Sequence, residues 1–233
     1  MGKANTEKAV KIMDNAVALV RAYLNFNGYF TVAEYPVLEA LRHGGYQTAT
    51  DIDILAFHFP KAGLTVSEGK RRRSSGKPQD FLIPDSAALG ALDEDPDIII
   101  GEVKEGPARM NPAMRDRGVL AAALRRFGCC PPERIEQVVE GLLREGEAES
   151  HCGQPIRMMA FGSLLGDLAT KAESRFQTIS MGNLIRFLKD YLNRHWDVLS
   201  RTKNKAEAFD FLLTLDKTLR RGADGNSMEK LQL

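Results

Sequence analysis

Two acids and a lysine occur in apolar surroundings in the first half of the chain. Asp53 lies inside the run TATDIDILAFHF, and Glu102 and Lys104 lie near the end of the run DIIIGEVKE. Because side chains alternate along a β-strand, Glu102 and Lys104 share one face while Val103 turns into the core. If the strand that carries Asp53 lies alongside, the two carboxylates can hold a divalent cation. Hard oxygen ligands of this kind favour Mg²⁺ or Mn²⁺.

A group of this composition has the parts needed to hydrolyse a phosphodiester bond. The reaction needs a nucleophilic water, stabilisation of the charge on the phosphorus centre, and help for the leaving alkoxide. A cation held by Asp53 and Glu102 would lower the pKa of a bound water and offset the developing charge. Lys104 would orient or deprotonate that water, or contact the phosphate directly. The competing interpretation is a salt bridge at the rim of a sheet, since ion pairs are far commoner than active sites.

The apolar pattern along the chain predicts a mixed β-sheet flanked by helices. The predicted elements are, in chain order, a helix at 6–26, strands at 29–37 and 48–59 joined as a hairpin through Gly44-Gly45, a long irregular excursion at 60–96, a strand at 97–105, a helix from Asn111-Pro112 to Gly128, a helix at 132–144, strands at 155–162 and 176–180, a helix through Leu184 to Trp196, and a final helix at 205–220. This order predicts an α/β main domain over residues 1–200. Residues 201–233 are predicted to form a C-terminal helix and tail.

The two apolar runs with their acids, a helix before them and a helix after them, resemble the PD-(D/E)XK nuclease superfamily. That superfamily includes many restriction endonucleases, junction resolvases and repair nucleases. The resemblance covers residues 6–162 as a pattern of elements, and it implies a restriction-endonuclease-like fold. In the family, the acids that match Asp53 and Glu102 bind metal. The backbone carbonyl that matches Val103 often adds a ligand, and the lysine that matches Lys104 is catalytic.

The identity of the first acid leaves alternatives open. The Pro-Asp of the family name does not precede Asp53, whereas Pro84-Asp85 and Pro96-Asp97 lie between it and Glu102. Asp53 is favoured because an acid inside an apolar strand is costly to bury unless a partner or a metal offsets its charge. Members of the class often recruit one more acid, and Glu34 in the preceding strand is the candidate for that ligand.

The resemblance implies an endonuclease that hydrolyses DNA with Mg²⁺ or Mn²⁺, in restriction, phage defence or DNA repair. It also implies a homodimer, because cutting both strands of a duplex needs two centres. No motif excludes RNA as the substrate. The alternative function is a non-catalytic subunit of this fold that binds nucleic acid, or that joins partner subunits in a larger DNA-processing complex.

A basic segment lies between the two strands that carry the acids. Its members are Lys70, Arg71, Arg72, Arg73 and Lys77. A nuclease would place phosphate contacts in this part of the chain, so these five residues are predicted to bind the nucleic-acid backbone. A solvated loop is the competing interpretation of such a charge run.

Composition narrows the class of protein further. The net charge is only +1, which removes the argument that the whole molecule is a polycation seeking nucleic acid. No apolar run is long enough to span a bilayer and no signal region opens the chain, so we expect no membrane association and a cytoplasmic location. The three cysteines, Cys129, Cys130 and Cys152, are predicted to be reduced. Adjacent cysteines are awkward zinc ligands, which disfavours a zinc site.

Overall fold

The structure is a computed structural model that describes residues 14–60, 64–65, 81–82, 89, 96–164, 175–201 and 206–223. Its elements are, in chain order, α1 (Asn15–Phe26), β1 (Tyr29–Ala40), β2 (Tyr46–His58), β3 (Leu64–Thr65), β4 (Phe81–Leu82), β5 (Asp97–Pro107), a 3₁₀ helix (Pro112–Arg115), α2 (Arg117–Phe127), α3 (Pro132–Glu145), β6 (Glu147–Glu149), β7 (Pro155–Leu164), β8 (Gln177–Ser180), α4 (Met181–Arg194), α5 (Trp196–Leu199) and α6 (Glu207–Ala223).

Six strands form one mixed sheet in the order β1-β2-β5-β7-β6, and β8 also pairs with β7. The pairs β1–β2, β2–β5 and β6–β7 are antiparallel, whereas β7 runs parallel to both β5 and β8. Strands β3 and β4 form a separate two-residue ladder. Gly44 and Gly45 both have positive φ in the turn between β1 and β2, so the predicted hairpin is confirmed. The predicted α/β class with a mixed sheet flanked by helices is also confirmed.

Strand β5 lies at the centre of the sheet and separates two apolar cores. Ile98 and Ile100 face α2 and α3 in what we call the α2/α3 core. Ile99 and Val103 face α1 and α4 in what we call the α1/α4 core. Burying each of these isoleucines contributes roughly 1.5–3 kcal/mol by removing apolar surface from water. Burial on both faces explains why the sequence of β5 is continuously apolar and does not alternate.

Helix α6 packs against α1 and α4 in a third apolar cluster. Phe209 and Leu213 of α6 are buried there beside Phe26 and Tyr191. The ring centres of Phe26 and Phe209 lie 4.3 Å apart. The predicted C-terminal helix is therefore present, shifted a few residues towards the C-terminus.

None of the helices in the described ranges combines the length and the apolar character that crossing a membrane requires.

Several elements differ from those predicted, among them the short strands β3 and β4 inside the stretch predicted to be irregular. The helix expected from Asn111 is divided into the 3₁₀ helix and α2, because Asp116 is extended and its carboxylate accepts the N–H of Val119 at 3.1 Å. The helix expected to reach Trp196 ends at Arg194, and α5 begins separately. Strand β6 is not predicted, because three residues are too few to show a periodicity.

Gly162 in β7 permits a close approach of two backbones beside the site strand. It pairs with Lys104, and the register of β5 shifts just beyond that residue. A Cβ on Gly162 would lie 2.6 Å from Cα of Ala108 and 2.8 Å from the carbonyl oxygen of Gly106. The N–H of Ala108 donates to the carbonyl oxygen of Leu164 at 2.8 Å. Because Gly162 has no side chain, the backbone segment that follows Lys104 can pack directly against β7.

Replacing Gly162 by alanine should lower the free energy of unfolding by about 1–3 kcal/mol, because the new methyl group collides with backbone atoms that have no free space to enter. Urea unfolding followed by circular dichroism measures the loss. Gly106→Ala is the matched control, since a Cβ on Gly106 meets no atom of the described residues within 4 Å. Equal destabilisation by the two substitutions would contradict the close-approach role of Gly162.

Candidate active site

The register of the sheet brings Asp53 opposite Glu102. Ile54 of β2 pairs with Gly101 of β5, and the next antiparallel step opposes the two acids. Directly opposed residues of antiparallel strands direct their side chains to the same face of the sheet. The two carboxylates identified in the sequence are therefore neighbours across adjacent strands.

A hydrogen bond holds the carboxylate of Asp53 against β5. The main-chain N–H of Val103 donates to Oδ2 of Asp53 at 2.8 Å, immediately beyond the last paired residues of the β2–β5 ladder. The Asp53 carboxylate thus accepts the Val103 N–H in place of a main-chain carbonyl of β2, because the β2–β5 ladder has ended at this point. The role of the Val103 carbonyl as a metal ligand stays a prediction.

Glu34 of β1 lies opposite Asp53 of β2, on the edge of β2 that faces away from β5. At this position the regular alternation of side chains between the two faces of the sheet is interrupted in both β1 and β2. Residues two apart in a strand normally share a face. Here the residues flanking Glu34, and their partners in β2, are divided between the two cores. The pairs are Ala33 with Ile54 in or against the α1/α4 core, and Tyr35 with Ile52 in or against the α2/α3 core. Glu34 has a φ of 50°, a value that residues with a Cβ seldom adopt and that tends to occur at functional sites.

The pKa of the Asp53 carboxyl is raised above its ordinary value, chiefly because the group is buried. The Val103 N–H and the charge of Lys104 lower the pKa, whereas the negative charges of Asp14 and Glu34 raise it further. The raised pKa means that the charged form of Asp53 is costly in the folded chain, chiefly because the group is partly removed from water. A cation bound beside it would offset that cost.

Glu102 and Lys104 form an ion pair on one face of β5. The side chain of Glu102 is 2% exposed and that of Lys104 is 42% exposed. Burial raises the pKa of Glu102, hydrogen bonds from Lys104 and Asn111 lower it, and the charge of Asp53 raises it, with a net upward shift. Val103 meanwhile lies in the α1/α4 core, so the predicted division of faces along β5 is confirmed.

Lys104 keeps its positive charge at neutral pH. Burial lowers the pKa of its ammonium group, but the hydrogen bond and charge of Glu102, together with the charge of Asp53, outweigh burial and raise the pKa overall. The site therefore combines two carboxylates with one ammonium group, in the arrangement that the sequence predicts.

Two polar residues that act on this group were missed in the sequence. Asp14 caps α1, where its Oδ1 accepts the N–H of Ala16 at 2.7 Å. Asn111 caps the 3₁₀ helix, where its Oδ1 accepts the N–H of Ala113 at 3.1 Å. Each has the sequence signal of a helix cap. That signal does not reveal that the folded chain brings the two caps near the carboxylates.

Asp97 lies at the opposite end of β5, in a separate buried cluster. Arg157 donates to both of its carboxylate oxygens, at 3.0 Å and 2.5 Å, and the hydroxyl of Tyr29 donates to Oδ2 at 2.5 Å. Five residues of extended strand separate Asp97 from Glu102, which corresponds to roughly 16 Å. The alternative in which Asp97 replaces Asp53 beside Glu102 is therefore wrong.

Some of the residues singled out in the sequence lie outside the described residues. These are Lys70, Arg71, Arg72, Arg73, Lys77 and Asp85.

The three cysteines are described, and all three are free thiols. The Sγ atoms of Cys129 and Cys130 lie 3.6 Å apart, and burial raises the pKa of Cys129 to about 12.

The pair of carboxylates fits a hard divalent cation. In the part of the chain that the structure describes, no group of three or more histidine, cysteine, aspartate or glutamate side chains is arranged to hold a metal ion. Mg²⁺, however, is usually bound through one or two carboxylates, with waters and substrate phosphates completing the shell. Asp53 and Glu102, two neighbouring carboxylates whose pKa values are both raised, match that ligand set.

A cavity of about 560 Å³ adjoins the carboxylate pair. Its lining consists of Lys104, Gly106, Pro107, Arg109, Met110, Asn111, Pro112 and Arg115. Lys104 and Asn111 belong both to this lining and to the surroundings of Glu102. These two residues therefore connect the cavity to Glu102, although neither carboxylate of the pair is part of the lining.

Comparison of the chain with protein-family models, with curated proteins and with solved structures finds no match. The case for a function therefore rests on the residues of the site and their arrangement.

Asp53→Asn should raise the free energy of unfolding of chelator-treated protein at neutral pH. The pKa of Asp53 is higher in the folded chain than in the unfolded chain, so the folded state loses stability as the pH rises through that raised value. Asparagine removes the charge and keeps an acceptor for the Val103 N–H. The gain should be absent below the ordinary carboxyl pKa of 3.8 and should grow above it.

Urea unfolding from about pH 4 to about pH 8 measures this difference. Asp190→Asn, at an exposed position of α4, is the matched control and should change stability little at any pH. A stability loss in Asp53→Asn at neutral pH, or a gain that does not vary with pH, would show that the Asp53 charge does not strain the fold.

Proposed function

We propose that the chain is a metal-dependent endonuclease of the PD-(D/E)XK class that hydrolyses phosphodiester bonds of DNA. The observation that supports the proposal most directly is the opposition of Asp53 and Glu102 on neighbouring strands, with Lys104 beside them on the same face. A restriction-endonuclease-like fold is part of the proposal. The antiparallel β1–β2–β5 unit, followed by helices and then by the parallel strand β7, agrees with the pattern of elements on which the resemblance rests.

In this proposal Asp53 and Glu102 hold Mg²⁺ or Mn²⁺, and Glu34 and Asp14 add to the negative potential around Asp53. A cation held there would lower the pKa of a water and offset the charge that develops on the phosphate. The chain itself contributes fixed positions. The Val103 N–H holds Asp53, and Asn111 and Lys104 hold Glu102, so the ligands are in place before the substrate arrives.

Lys104 acts as a cation in the proposed reaction. Its raised pKa favours an ammonium that contacts a phosphate oxygen or orients the attacking water, and it disfavours the alternative in which a neutral amine deprotonates that water. The 42% exposure of its side chain leaves part of the group accessible to a substrate. Its ion pair with Glu102 also places the positive charge beside the proposed ligands.

The remaining parts of the proposal concern partners. The basic residues between positions 70 and 77 are proposed contacts to the DNA backbone, and they would bind all sequences alike. A homodimer is proposed because a duplex has two strands to cut. Restriction, phage defence and DNA repair are the processes in which an enzyme of this kind would act.

Wild-type protein with Mg²⁺ or Mn²⁺ should convert supercoiled plasmid into nicked and linear DNA, and a chelator should stop the conversion. Asp53→Asn, Glu102→Gln and Lys104→Ala should each lower the cleavage rate on the order of 10²-fold or more, because each removes a charge that is fixed at the reacting phosphate. Gel electrophoresis of timed samples measures the rates, and circular dichroism verifies that each variant is folded.

Glu105→Gln is the matched control for Glu102→Gln. Glu105 is exposed and lies on the same strand, outside the ion pair, so its substitution should leave the cleavage rate unchanged. An equal loss in both variants would refute the site assignment. A wild-type chain that cuts neither DNA nor RNA with either ion would refute the enzyme proposal and favour the non-catalytic subunit. Cleavage of RNA alone would correct the substrate.

A further inference from the structure

Among the residues that the structure describes, the cavity beside the carboxylate pair has three cations in its lining and no acid. The cations are Lys104, Arg109 and Arg115, and the fourth polar side chain is that of Asn111. A concave site lined by charges of one sign concentrates ions of the opposite sign. Because its charged lining residues are cations, the cavity favours an anion, whereas the neighbouring carboxylate pair favours a cation.

No acid of the described residues neutralises the positive charge of the two arginines. Across the described ranges, neither Arg109 nor Arg115 forms an ion pair with a carboxylate. The Nε of Arg115 is buried and has no hydrogen-bond partner among the residues that the structure describes. Its guanidinium carbon lies 5.4 Å from the centre of the Phe176 ring, a contact that orients the planar group. An uncompensated guanidinium with a fixed orientation is well suited to a phosphate.

The rest of the cavity wall is apolar. Met110, Pro107 and Pro112 contribute it, and Met110 is itself buried. A volume of about 560 Å³ is far larger than a phosphate ion needs, and it lies in the range of sites that hold small organic molecules. Apolar surface next to cations matches a ligand that has a ring system at one end and a phosphate at the other.

The wall of the cavity is also held in place. The N–H of Ala108 donates to Leu164, and the Asn111 side chain caps the 3₁₀ helix. Gly162 lets this segment lie directly against β7. The cavity is therefore formed before any ligand binds, which reduces the entropy lost on binding.

We propose that this cavity binds one nucleotide of the substrate strand, next to the phosphate that is cut, through contacts of its phosphate with Arg109 and Arg115. The inference rests on the proposed function, because it takes the ligand to be part of a nucleic-acid strand. Lys104 and Asn111 connect the cavity to Glu102. The bound nucleotide then determines which phosphate of the strand meets Asp53 and Glu102.

Binding of a 5′-deoxynucleoside monophosphate to the full chain tests this inference. Isothermal titration calorimetry is carried out in a buffer with chelator and no divalent ion, and inorganic phosphate is the second probe. The nucleotide should bind at least about tenfold more tightly than phosphate, because it also covers the apolar wall. Arg109→Ala and Arg115→Ala should each weaken nucleotide binding about tenfold or more, since each removes a charge-assisted hydrogen bond.

Arg186→Ala is the matched control, because Arg186 is exposed on α4 and does not line the cavity. It should bind the nucleotide as wild type does. Arg115→Lys is a second variant that retains a cation without the planar group, and it should recover part of the affinity lost in Arg115→Ala. Thermal unfolding verifies that each variant is folded.

Equal affinity for phosphate and nucleotide, unchanged binding by Arg109→Ala, or an equal loss in Arg186→Ala would each overturn the inference. Because no divalent ion is present, the titration is independent of cleavage. A chain that binds the nucleotide at this cavity and does not cut refutes the proposed function alone. A chain that cuts and does not bind the nucleotide refutes the cavity assignment alone.

Discussion

The hydrogen bond from the Val103 amide to the Asp53 carboxylate is the interaction on which the rest of the site depends. It forms where the paired part of β2 and β5 ends, and it fixes one acid opposite the other. The buried carboxylate of Glu102 and the half-buried carboxylate of Asp53 repel each other, and each is costly to remove from water. The Val103 amide and the Lys104 ammonium reduce that cost, while the raised pKa values of Asp53 and Glu102 show that part of it remains.

The two cores around β5 supply the stability that offsets this remaining cost. Ile98, Ile99 and Ile100 are completely buried, on alternating sides of the strand. The polar end of the same strand carries Glu102 and Lys104. One strand thus combines completely buried apolar residues with charged groups that are costly to bury, a combination typical of proteins that give up stability at a functional site.

The sequence predicts the elements and the strand-level part of the site, because both depend on local patterns. Glu102, Val103 and Lys104 follow from alternation along a single strand. The opposition of Asp53 and Glu102 also needs the register between strands, which was supplied by the family resemblance and not by the residues. The sequence does not exclude Asp97 as a ligand, because Arg157, the residue that pairs with it at the far end of β5, lies 60 residues away in sequence.

The features that the sequence does not predict are non-local. Nothing in the composition around Glu34 signals a positive φ, since glycine or asparagine is the usual residue at such a position. Asn111 and Asp14 look like ordinary helix caps until the fold brings them to the carboxylates. The cavity likewise needs Gly162, which is contributed by a strand that follows two intervening helices.

Helix α1 is buried on two sides, one against the sheet and one against α6. A truncation that removes α6 would therefore expose one side of α1. Tyr23 faces the sheet, whereas Ala22 and Phe26 face α6. Cutting the chain at residue 200 would remove Phe209 and leave a strip of aromatic rings open to water. The shortened protein would then be prone to self-association, so any trimmed version meant for study in solution has to retain the last helix.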